Sequence, residues 1–174
     1  MKNSIIILML LMSASIGYSQ ISFEGRFDAS MKTYQFKDGS LKYLLVDHKE
    51  NLLHIYNTDN TIWYSIELEV PKGHMIDDIE LLTDVGESDS DMIVLYTCYY
   101  FDHQAIEDVE EPFVNLVLSL NVLNGNGTYL LQIPQIEDFQ IVTSGAHNKL
   151  LVYTSETDGF DGDQYIDVYS LNGK

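Results

Sequence analysis

Asp158, Asp161 and Asp163 fall within "ETDGFDGDQ", where Gly159 and Gly162 separate the acids and let backbone carbonyls turn toward a common centre. Hard calcium takes about six to eight oxygen ligands from such loops, so these carboxylates are a candidate calcium site. The spacing departs from the EF-hand pattern: counted from Asp158 or Asp161 the sixth residue is not glycine, and the twelfth is not glutamate. An acidic hairpin loop without an ion accounts for the same residues. A second group is Asp47-His48 and Asp102-His103, two like pairs 55 residues apart, each after an apolar run, with His74 between them. Converging imidazoles and carboxylates can ligate zinc or line a ligand face. No His-x-x-x-His spacing accompanies them, and solvated loop histidines are the competing reading. Neither pair adjoins a serine or cysteine nucleophile, so no triad is supported and the reading leans against an enzyme. The chain has 27 acids, and glycosidase carboxylates are recognised by a separation of about 5–9.5 Å that sequence does not reveal.

These residues would sit on loops between strands. Helix periodicity is nearly absent, while two-residue alternation recurs. From Thr61, one side reads Ile62, Tyr64, Ile66, Leu68, Val70 and the other Thr61, Trp63, Ser65, Glu67, Glu69, as in a half-buried antiparallel strand. "MIVLYTCYYF" from Met92 is apolar on both sides and predicts an interior strand covered twice. Trp63, Tyr99, Tyr100, Phe101 and Tyr129 could form an aromatic platform, or serve as core and cross-strand pairs. The loop from Asp102 to Pro112 holds Glu107, Asp108, Glu110 and Glu111, and "DVGESDSD" from Asp84 is similarly acidic.

Self-comparison aligns "IDDIELLT" from Ile76 with "IEDFQIVT" from Ile136 at a spacing of 60. "VLYT" from Val94 aligns with "LVYT" from Leu151 at 57, and with "LLVD" from Leu44 at 50, which makes Val94 and Leu151 equivalent. The expected unit is a meander of four strands, A to D. Strands are placed at 33–37, 41–47, 51–56 and 61–70, then 77–83, 92–101, 113–122 and 127–133, then 138–143, 149–155 and 164–171. The third unit lacks its D strand. Residues 21–27, "ISFEGRF", could complete that sheet, or the missing strand could lie beyond Lys174. In such meanders the B–C and D–A loops share one end, which is why His48, His74 and His103 are grouped.

Residues 1–19 read as a secretory signal: a lysine at position 2, an apolar run from Ile5 to Met12, and small residues before Gln20. That run is shorter than the ~20 apolar residues that span a bilayer. Residues 20–174 then form a single exported domain. The one cysteine, Cys98, cannot form an internal disulfide, so packing must supply stability. A net charge of −18 repels phosphate backbones and anionic lipid, and favours cations and basic or neutral partners. Aromatic content (12 Tyr, 7 Phe, 1 Trp) argues against disorder.

Repeated meanders of about 50 residues with Asn/Asp/Gly turns resemble β-propeller blades over residues 33–174, without a Trp-Asp or kelch signature. A β-sandwich built from the same meanders is the alternative fold. "IDVYSLNGK" resembles part of the C-terminal sorting domains of type IX secretion cargo, without their Pro-Asn-Pro-like start, and the leader resembles those of Bacteroidota. These resemblances imply a secreted or cell-surface module binding a protein or glycan. A calcium-stabilised carbohydrate-binding or glycan-processing protein, and a structural segment of a larger secreted protein, are the alternatives.

Overall fold

The computed structural model describes residues 26, 31–36, 38–83, 92–104, 113–144, 147–155 and 164–171. The signal-like segment, the strand expected at 21–27 apart from Arg26, the acidic stretches 84–91 and 105–112, and the calcium candidates Asp158, Asp161 and Asp163 lie outside them. The described residues form strands and no helix, as the alternation requires. In order these are β1 (Lys32–Gln35), β2 (Leu41–Asp47), β3 (Leu52–Asn57), β4 (Ile62–Glu67), β5 (Met75–Leu82), β6 (Ile93–Gln104), β7 (Phe113–Asn124), β8 (Tyr129–Ile136), β9 (Asp138–Ser144), β10 (His147–Ser155) and β11 (Gln164–Ser170). They make three antiparallel meanders, β1 to β4, β5 to β8 and β9 to β11.

Three of the hairpin turns share one construction. Phe36, Asn57 and Asn124 each donate their N–H to the carbonyl four residues on, Ser40, Thr61 and Thr128, at 2.8–2.9 Å. The fourth residue of each turn has positive φ: Gly39 at 83°, Asn60 at 66° and Gly127 at 84°. The third residue, Asp38, Asp59 or Asn126, accepts the N–H of the turn's last residue through its side-chain oxygen at 2.8–3.0 Å. Glycine and Asx side chains suit these positions because glycine tolerates the left-handed region and Asx oxygens reach the backbone two residues on.

The meanders stack face to face. Leu44, Leu53, Ile55, Ile66 and Leu68 of the first pack against Ile79, Leu81, Val94, Tyr96 and Cys98 of the second. On the opposite side of the second sheet, Ile93, Leu95, Leu120 and Val122 pack against Leu150 and Val152 of the third. Strand β6 thus contributes to both cores, and every residue from Ile93 to Cys98 is at most 7% exposed. Each large aliphatic buried this way is worth roughly 1.5–3 kcal/mol, so the doubly covered strand is where the chain gains most. Strand β1 lies against β5, and the end of β4 lies against β8. Lys32 and Tyr34 of β1 bond to Asp78, Ile79 and Glu80 of β5, while Glu69, just after β4, bonds to Tyr129 of β8.

Two expectations need correction. Val94 is fully buried against the first sheet, whereas Leu151 is only half-buried and points away from the second. The residue facing inward is Leu150: Leu81 pairs with Val94 on one sheet and Ile141 with Leu150 on the other. Val94 and Leu151 are therefore not equivalent, and the residue that faces inward lies 56 positions after Val94. A one-residue error in strand register exchanges the two faces, and "LVYT" matched by letter rather than by face. Sixty residues apart, Asp78 and Asp138 each accept the N–H of the next residue, at 2.9 and 2.8 Å. The second correction concerns β4. Its register against β3 shifts at Tyr56, which pairs with Ile62. Trp63 consequently packs edge-on against Phe36 at 5.3 Å, and Ile62 is 57% exposed.

Candidate ligand-binding cleft

A cleft of about 220 Å³ opens between the first two sheets at their β1/β5 side. Leu44, Val46 and Leu53 form one wall and Ile76 the other, with Lys32, His48, Asp77 and Asp78 among its polar lining. A register shift in β5 between Ile76 and Ile79 creates this arrangement. The shift places both acids between apolar residues that face the core. Such bulges re-aim side chains at the cost of local pairing.

Each lining acid has a fixed partner. Asp78 forms an ion pair with Lys32 and accepts the Ile79 N–H at 2.9 Å. Lys32 also donates to the Ile79 carbonyl at 2.9 Å and lies 3.6 Å from Glu80. Burial opposes the Lys32 charge, but the Asp78 hydrogen bond and the Asp78 and Glu80 charges outweigh it and raise the ammonium pKa. Tyr34 donates to Glu80 at 2.9 Å, and burial followed by that carboxylate pushes the phenol pKa upward. Asp77 lies beside the buried Thr97 hydroxyl at 3.4 Å, and the same hydroxyl accepts the Asp78 N–H at 3.2 Å. The cleft therefore has an apolar floor and a fixed, mixed-charge mouth.

Of the five loop residues grouped by sequence, His48 alone lines this cleft. Asp47 caps its own turn, its Oδ1 accepting the N–H groups of Lys49 and Glu50 at 3.0 and 3.1 Å. Those two bonds hold its carboxyl below the usual range. His74 stacks obliquely on Tyr100, centroids 4.5 Å apart. Asp102 and His103 sit near the end of β6, opposite Asn115 and Val114. Among the described residues, no group of three or more His, Cys, Asp or Glu side chains is arranged to hold a metal ion. The aromatic candidates also separate: Tyr129 bonds to Tyr96, Trp63 packs on Phe36, and Tyr99 meets Phe101 edge-on at 5.7 Å.

Sequence reasoning passed over Lys32, Asp77 and Asp78. Two adjacent acids inside "IDDIELLT" interrupt an alternating strand, and that interruption was the available sign of a bulge. It also missed the 2.8 Å contact between His54 Nδ1 and Ser65 Oγ. That contact has the composition of a nucleophile and base, but the two are directly opposed on β3 and β4 and form a cross-strand polar pair. The Cys98 thiol is pushed up to about 11 by burial, which keeps it protonated and unreactive at neutral pH.

Among the described residues no helix is long and apolar enough to cross a membrane. Comparison with known proteins finds no matching family and no similar curated protein or solved structure, so the functional argument rests on the geometry above.

Proposed function

We propose that this is an exported, propeller-like β-repeat protein that binds a partner and performs no chemistry of its own. The stacked meanders are then successive blades of one duplicated unit, and residues 1–19 direct export. The cleft between the first two sheets carries the reading. A cavity of about 150 Å³ lined by apolar residues is enough to hold a benzene ring, so 220 Å³ admits one large apolar side chain. Asp77 at its lining, in a chain of charge −18, favours a basic group beside that side chain. Lys32 and Asp78 are committed to each other, which suits a rigid recognition surface better than proton transfer.

The reading is tested by selecting displayed peptides on the purified chain and measuring their affinity by calorimetry. Selected peptides are expected to place an apolar residue next to Lys or Arg. Val46→Tyr, which fills the cleft, should weaken them at least tenfold. Peptides that bind Val46→Tyr as well as the parent chain would rule the cleft out, and turnover of a bound ligand would rule out a binding role alone.

A further inference from the structure

A sheet edge presents backbone groups that can pair with another strand, and most edges of this fold are blunted. Strand β1 has only four residues, the pairings of β4, β5 and β8 shift register, and β8 also holds Pro134. Short, bulged or proline-bearing edges resist further pairing. Strands β9 and β11 have no such break, and β11 is the more open, with six of its seven residues exposed. Among the described residues it pairs with β10 alone, in a sheet of three strands where the other two sheets have four. The alternation of an antiparallel ladder fixes what this edge presents. Leu171 donates its N–H to the Asn148 carbonyl at 3.0 Å, so its backbone groups turn toward the β10 chain. Counted back in steps of two along an unbroken register, Tyr169, Asp167 and Tyr165 do the same, whereas Ile166 and Val168 turn their N–H and C=O groups away from β10. Val168 is 62% and Ile166 52% exposed, with side chains on the face turned away from the second sheet. Asp167 lies between them on the other face, opposite Val152, and is exposed as well.

We propose that β11 is a docking edge for an extended segment of a partner protein, which adds a fourth strand to the third sheet and reads apolar–basic–apolar across Ile166, Asp167 and Val168. Main-chain bonds to Ile166 and Val168 supply attachment, and the alternating side chains supply selection. β-Branched or aromatic residues suit the positions opposite Ile166 and Val168, because cross-strand pairs of that kind stabilise a sheet. Lysine or arginine suits the position between them, opposite Asp167, in a chain of charge −18. The same charge disfavours a second copy as the occupant. The antiparallel register that sets Ile166 against Val168 of another chain also sets Asp167 against its own counterpart, and like charges directly opposite destabilise the pairing. This edge belongs to the third sheet and the cleft lies between the first two, so neither site depends on the other.

Calorimetric titration of the full chain with a short capped peptide of alternating valine and lysine tests this. The expected result is saturable binding that slows exchange of the Ile166 and Val168 amides. Val168→Pro, which removes an outward N–H, should weaken that binding roughly tenfold or more. Asp167→Lys should do the same through charge, and it stands in if circular dichroism shows that Val168→Pro has lost the parent β-signal. Methylating the valine amides removes the peptide's edge hydrogen bonds while keeping its charge and side chains, and should abolish binding. Equal binding of the methylated peptide would overturn the proposal in favour of general attraction between a cationic peptide and an acidic chain. Binding lost in Val46→Tyr but kept in both β11 variants would place the peptide in the cleft and overturn it too. So would a parent chain that binds no peptide because its own residues cover the edge, or one that self-associates through β11. Val46→Tyr should bind this peptide as the parent does, whatever becomes of the cleft ligands.

Discussion

Tyr96 is fully buried, and its hydroxyl has two oxygen neighbours, the Glu69 carbonyl at 3.0 Å and Tyr129 Oη at 2.6 Å. A phenol has one proton, so Tyr96 donates to the carbonyl and accepts from Tyr129, while Tyr129 Oη accepts the Glu69 N–H at 3.0 Å. This closed loop of three groups fastens the chain leaving β4 onto β6 and β8. Burial, followed by the Tyr129 bond, raises the Tyr96 phenol pKa. Tyr96→Phe should lower unfolding free energy by about 1–1.5 kcal/mol, read from the urea midpoint at unchanged slope. Sequence placed Tyr96 correctly in a doubly apolar strand. It gave no sign of the hydroxyl's partners, because Glu69 and Tyr129 lie 27 and 33 residues away on other elements.

At the scale of elements, the hairpin turns were the most legible part of the sequence. Gly-containing Asx turns dictate their own backbone, and "KDGS" and "NGNG" were placed where the chain in fact reverses. Gly127→Ala tests that local determination. An added Cβ would meet Ile66 Cγ2 at an ordinary 3.7 Å, so the cost comes from holding alanine at a φ of 84°, about 1–2 kcal/mol by denaturant titration. Asp38, Asp47 and Asp59 each accept hydrogen bonds within a turn, and those bonds lower their pKa values below 3.8. A lowered carboxyl stabilises the fold above its unfolded pKa, and that contribution disappears as pH falls through the folded value. Thermal melts should therefore fall progressively below about pH 4, and Asp59→Asn should flatten that decline. Strand register was less legible. "VLYT" and "LVYT" share composition but not facing, and the β3/β4 and β5 bulges shift residues by one without leaving a turn residue to mark the place.

Across the whole molecule, the all-β class and the interior position of β6 could be read from alternation and its local absence. The cleft could not. It needs Leu44 and Val46 from one sheet and Ile76 to Ile79 from the next, and no single segment shows that juxtaposition. Two apolar interlayers hold the described strands of this acidic chain together, and its single cysteine is a buried free thiol. Native-state hydrogen exchange tests this layered organisation most directly, since protection follows how completely a strand is covered. Amides of β6 from Ile93 to Cys98 should exchange last, only on global unfolding, while β11, an edge strand exposed along most of its length, exchanges well before them. Exchange of β6 at the rate of β11 or faster would contradict a central sheet enclosed by its two neighbours.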